Sequence, residues 1–135
     1  MRGGRLLAWE LDNDRPIYAQ LVERLQVQVV SGIYHPGGKL PSVRELAAVA
    51  AVNPNTMQKA FAELEKSGLI ITQGTNGRVV TEDERLIQDI KRQLAKRHGE
   101  AYFSAMKGLG YTRIQAVGIL QDMEGRGEVE DERAD

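Results

Sequence analysis

The sequence contains no cysteine. That excludes disulfides, thiol nucleophiles and thiolate zinc sites, and it suits a reducing compartment. No apolar run approaches the roughly 20 residues of a membrane span. The N-terminus carries Arg2 and Arg5 but no sustained apolar stretch of the kind a signal peptide needs. The expected location is the cytoplasm, with no membrane partner. Histidine is scarce as well: His35 and His98 stand apart, so neither a metal site nor a cofactor is expected. There is no nucleophile–base pair, and Gly74-Thr75-Asn76-Gly77 lacks the Lys-Ser/Thr ending of a phosphate loop. An enzyme is not expected.

A strong basic excess is also missing, since the net charge over 135 residues is −1. The sum hides a gradient. Residues 1–80 hold nine Lys/Arg against seven Asp/Glu, net +2, and residues 81–121 hold seven against five, again +2. Residues 122–135 hold two against seven, net −5. The body is mildly basic and the acidity sits in a tail, which permits nucleic-acid binding without demanding it.

What is present is an ordinary globular composition, 41% hydrophobic and 27% charged, enough for a core without staples. Leu7, Trp9 and Leu11 alternate with the period of a half-buried strand. A first helix follows, with Asp14 as its cap and Pro16 in its first turn. Its stripe is Ile17, Leu21, Leu25, Val29 and Ile33, widened by Tyr18, Val22 and Val30. Ser42 and Glu45 have the spacing of a capping box and open a short second helix, whose buried face is Leu46, Val49 and Ala50. Asn53 caps a third helix with Pro54 at its first position; Met57, Ala60, Phe61 and Leu64 face inward, and Gly68 stops it. Two short helices in this succession form a helix-turn-helix layout. Two β-rich runs, 69–73 and 78–81, flank Asn76-Gly77 and predict a hairpin, the wing of a winged helix.

From Glu82 the chain is helical again. Leu86, Ile87, Ile90 and Leu94 form a stripe ending near Gly99, and a shorter helical piece over 101–107 carries Tyr102, Phe103 and Met106. Thr112 and Gln115 make a second capping box, opening a helix whose inward stripe is Ile114, Val117, Leu120 and Met123. Residues 125–135 show no periodicity and are expected to be disordered. The expected fold is mainly α with a small β-hairpin. It comprises an N-terminal winged helix-turn-helix domain (1–81), a short C-terminal α-helical dimerisation region (82–124) and the acidic tail (125–135).

A recognition helix needs exposed donors and acceptors in its first turns. Asn55, Thr56, Gln58 and Lys59 supply them: an amide can read adenine, a threonine methyl can touch thymine, and lysine reaches guanine or phosphate. Asn53, Asn55 and Thr56 also have a bland role in the cap. Lys39 and Ser42 are candidate phosphate contacts, with capping the safer half of the Ser42 assignment. In the wing, Gly74, Thr75, Asn76 and Gly77 serve first as turn residues and second as a close approach to DNA. The stripes of Leu86, Ile90 and Leu94, of Tyr102, Phe103 and Met106, and of Ile114, Val117 and Leu120 serve either intramolecular packing or the pairing of two copies. Both can hold.

Pro41-Ser-Val-Arg-Glu-Leu-Ala47 and Val52-Asn-Pro-Asn-Thr-Met-Gln-Lys-Ala-Phe-Ala-Glu-Leu-Glu-Lys-Ser-Gly-Leu69 resemble the DNA-binding signature of the GntR family of bacterial regulators, and Arg15–Leu21 resembles its first helix. Asn53–Thr56 and the short C-terminal region point to the YtrA-like subfamily. The resemblance implies that Arg44 contacts DNA and that the C-terminal helices pair two protomers. It implies a repressor acting as a homodimer on double-stranded operator DNA with an inverted repeat, and control of an operon encoding an ABC transporter. The wing departs from the family pattern: its positive charge, Arg78, follows the second glycine and stands in for a missing arginine. Residues 82–135 are too few to enclose a typical metabolite pocket, so the small-molecule effector is unknown. The competing reading is a winged helix that binds protein, which the amide-rich face of the third helix argues against.

Overall fold

The structure, a computed structural model, describes residues 9–134; Leu7 of the alternating N-terminal run lies outside them. Contacts divide the chain into two compact units, with the boundary between Gln93 and Leu94. Among the described residues no helix is long and apolar enough to cross a membrane.

The first unit is built on three helices. α1 spans Ile17–Val30 and buries Leu21, Leu25 and Val29 at four-residue spacing. Its entry differs from the expectation. Pro16 is the N-cap, and no side chain caps the helix, Asp14 included. Gln20, buried on the first turn, ties the entering chain instead. Its amide nitrogen donates to the carbonyls of Asp12 (2.8 Å) and Arg15 (3.0 Å), and its amide oxygen accepts the Asp12 N–H (2.7 Å). Trp9 is buried but in no strand. α1 ends before Ile33, which is exposed.

α2 spans Val43–Ala50, and its capping box is complete: the Ser42 hydroxyl accepts the Glu45 N–H, and the Glu45 carboxylate accepts the Ser42 N–H. It buries Leu46, Ala47 and Ala50, while Val49 faces out. The turn into α3 is made by Ala51 in the left-handed region (φ 59°), without a glycine. α3 spans Pro54–Ser67, capped by Asn53, and buries Met57, Ala60, Phe61 and Leu64. Burying Met57, Phe61 and Leu64 stabilises by roughly 1.5–3 kcal/mol each, against about 1 kcal/mol for a cap. The three-helix packing therefore dominates, and the caps set where each helix begins. Gly68 ends α3 at φ 86°, with a Leu86 methyl 3.4 Å from where a Cβ would stand.

β1 (Ile70–Thr72) pairs antiparallel with β2 (Arg78–Val80), in the register Ile70–Val80, Ile71–Val79 and Thr72–Arg78. The linker before α2 adds a third, partial strand. Leu40 N–H donates to the Arg78 carbonyl, Gly37 N–H to the Val80 carbonyl, and Val80 N–H to the Gly38 carbonyl, each at 2.9 Å. This bonding leaves only one edge of the hairpin open, and it fixes the wing to the root of α2.

α4 spans Glu84–Gly108 as one helix, running through Gly99 where the sequence led us to expect two pieces. An isolated glycine costs a helix only about 1 kcal/mol, and no proline accompanies it. In the second unit, α5 spans Arg113–Ala134 behind the Thr112/Gln115 box. It therefore continues through most of the tail expected to be disordered, where glutamates favour a helix and proline is absent.

Candidate nucleic-acid interface

On α3 one face is sealed and the other is open. Met57, Ala60 and Phe61 are each 0% exposed, so helical geometry turns Asn55, Gln58 and Lys59 outward, with Thr56 half-buried between the two faces. Asn53 is exposed at the cap, where its amide oxygen accepts the Asn55 N–H at 2.7 Å. That leaves its amide nitrogen directed away from the cap bond. Lys59 is not a loose surface cation, because its ammonium lies 3.9 Å above the Tyr18 ring of α1. The sequence placed Tyr18 in the packing stripe. Only the crossing of α1 and α3 shows that it holds a cation of the outward face.

At the root of α2, Ser42 and Arg44 are exposed. Arg44 forms no ion pair with a described residue. The Ser42 N–H holds the Glu45 carboxyl below its ordinary value, with the Ser42 side chain and the Lys39 charge adding to it. Ser42 is thus committed to its cap, although a hydroxyl that accepts one N–H can still donate outward.

In the wing, Gly74–Asn76 form a 3-10 turn and Gly77 (φ 75°, ψ −140°) takes a conformation that other residues avoid. Gly74, Thr75 and Gly77 are exposed; Asn76 belongs to the turn by its backbone, and its side chain lies outside the described part. Lys39, also exposed, pairs with Val79 through its backbone and lays its Cε 3.8 Å from where a Gly77 Cβ would stand. The wing tip and the root of α2 therefore share a cation. Arg78 is placed differently from the reading that set it toward DNA. Its Nε lies 3.5 Å from Glu65, its guanidinium 5.2 Å from the Phe61 ring centroid, and Thr72 donates to the same Glu65. Arg78 braces the wing against α3.

The residues expected to pair two copies separate into groups. Ile90 and Leu94 are buried within the chain, and Leu86 is half-buried against Gly68. Tyr102, Phe103 and Met106 are half-buried, and the Tyr102 hydroxyl donates to the Ala116 carbonyl at 2.6 Å. The α5 stripe is a correction. Ile114 (85% exposed), Val117, Leu120 and Met123 face outward, and Ala116 is the residue turned in, at 0%. Periodicity locates an apolar face but not its direction, and here the smallest residue is the one that permits close packing.

The sequence profile of the bacterial regulatory proteins of the gntR family matches residues 17–80. The HTH-type transcriptional repressor YtrA of Bacillus subtilis is 38% identical over 98 residues, which are 68% of this chain and 75% of the relative. A GntR family transcriptional regulator from Listeria monocytogenes superposes with a TM-score of 0.74 at 38% identity, covering 83% of this chain and 98% of that one. AraR(DBD), solved in complex with operator ORX1, superposes with a TM-score of 0.52 at 26% identity over 57% of this chain and 98% of that one.

Proposed function

This chain belongs to the GntR family of bacterial regulatory proteins, and from that premise we propose that it is a transcriptional repressor that binds an inverted-repeat operator as a homodimer in the cytoplasm. The family is one of regulators, not enzymes. The observation that carries the proposal is the two-sided α3: a core face fully closed by Met57, Ala60 and Phe61, and an outer face of Asn55, Gln58 and Lys59. The similarity to AraR(DBD), which was solved on an operator, supports the same use of the domain here.

In this reading the first turns of α3 enter the major groove, where Asn55 and Gln58 read base edges and Thr56 lies against a thymine methyl. Arg44, Ser42, Lys39 and Lys59 meet phosphates and set the register. The wing turn, Gly74–Gly77, approaches the backbone beside Lys39. The exposed α5 stripe pairs two protomers, so the second half-site is bound at high effective concentration. The regulated genes are expected to encode an ABC transporter, as the YtrA-like resemblance implies; inspection of the adjacent genes checks this.

The decisive experiment is a mobility shift on the chain's own promoter at low salt, with Arg44→Ala/Gln58→Ala beside the wild type. A lost bidentate base contact is worth roughly 1–3 kcal/mol, and loss of the Arg44 charge weakens the attraction to phosphate as well, so the double variant loses the shift. Both residues are exposed, so its melting temperature stays within the small range of surface substitutions. If the wild type gives no shift, or the variant unfolds, this assignment of α3 and Arg44 is wrong.

A further inference from the structure

The outer face of α3 carries a cation that is held from another helix. The Lys59 ammonium lies 3.9 Å from the centroid of the Tyr18 ring on α1, well inside the roughly 6 Å over which a ring face attracts a cation. We propose that Tyr18 is a positioning residue for DNA binding: its ring sets where the Lys59 ammonium meets a phosphate. The contact stands on the geometry of the first unit alone, and its use rests on the DNA-binding reading.

Helical spacing offers Lys59 a different partner. Glu63 stands one turn further along α3, at the separation of a surface ion pair. Lys59 nevertheless forms no ion pair with a described residue. The difference matters for binding. A carboxylate would cancel the charge and would have to be given up before a phosphate could replace it. A ring face attracts the ammonium and leaves its charge whole. An ammonium donates in more than one direction, and Lys59 is exposed, so the side turned from the ring stays open to an anion. The ring itself is well anchored. Tyr18 is half-buried on α1, which packs against α3, and Leu21 on α1 and Met57 and Ala60 on α3 are all 0% exposed. A lysine side chain is long and flexible, and a free one loses that freedom when it docks. Here part of the loss has already occurred on folding. Tyr18 thus raises affinity without touching a base, and its effect passes through Lys59.

The test is a double-variant cycle on the full chain, with a duplex of its own promoter as the probe. Tyr18→Leu is expected to weaken binding by about two- to fivefold, the worth of an exposed cation–ring contact, and Tyr18→Phe to restore it. In a Lys59→Gln background, Tyr18→Leu should change nothing further. A tyrosine that only packed α1 on α3 would weaken binding in both backgrounds. Lys59→Gln alone should lower the salt dependence by about one counterion, whereas Tyr18→Leu keeps the charge and should leave that slope in place. Without DNA, proton NMR reads the contact directly. The ring should move the Lys59 ε-methylene resonance upfield in the wild type and in Tyr18→Phe, but not in Tyr18→Leu. Tyr18→Met takes the place of the leucine variant if that one fails to fold. Wild-type binding by Tyr18→Leu, or a loss of equal size in the Lys59→Gln background, overturns the proposal. So does a Tyr18→Phe chain as weak as Tyr18→Leu, which would mean that the hydroxyl touches DNA itself. A wild type that shifts no promoter while the upfield resonance persists would remove the DNA-binding reading and, with it, this use of the contact.

Discussion

Glu45 closes the capping box of α2 with its carboxylate, which accepts the Ser42 N–H. Its folded-state value lies below the ordinary one of 4.5. A group depressed on folding stabilises above its unfolded value and loses that contribution as pH falls through its folded value. Wild type is therefore expected to melt above Glu45→Gln at neutral pH, and the two melting curves should converge as pH drops below 4.5. A gap that ignores pH would show that the carboxylate's charge is idle. Asn53 supplies a second test at this scale. Its oxygen holds the Asn55 N–H, so Asn53→Ala should cost about 1 kcal/mol, read by denaturant melting. The amide-rich tip would also be displaced, and operator affinity should fall with stability.

Among the elements, α4 shows why local grammar is only part of the information. Gly99 reads as a stop in the sequence, yet the helix passes through it, and a Cβ there would meet nothing within 4 Å. Gly99→Ala should thus stabilise by roughly 0.5–1 kcal/mol, seen as a higher melting temperature; a loss would mean that the glycine serves a close approach. What was legible beforehand is the chemistry written within a few residues: the Ser42/Glu45 and Thr112/Gln115 boxes, the Asn53-Pro54 start, the Gly68 stop and the inward face of α3. Contacts closed through space were not. No neighbour in sequence announces that Gln20 reaches back to Asp12, that Lys59 settles on Tyr18, or that residues 37–40 bond to β2. The turn on Ala51 carried no glycine to signal it. Arg78 was visible as a cation near the wing tip, but only the pairing of Thr72 with Arg78 turns it onto Glu65.

For the molecule as a whole, the decisive question is what covers the outer side of α5. Ile114, Val117, Leu120 and Met123 recur at helical spacing and all face outward, Ile114 at 85% exposure. Scattered apolar residues on a surface need no explanation, but a continuous stripe on one helix face does. The proposed grip on two half-sites by paired protomers would give it a use. Charge placed on the stripe disturbs no buried packing of the single chain, so Ile114→Glu/Val117→Glu should keep its helicity and sediment as a monomer, whereas the wild type is expected to sediment as a dimer. Avidity exceeds single-site affinity by about a hundredfold or more when two modules are joined. The same variant should therefore lose at least about that factor on an inverted repeat while matching wild type on an isolated half-site. A variant that remains dimeric would move the pairing surface off α5. A monomer with undiminished affinity for the full repeat would remove the need for pairing altogether.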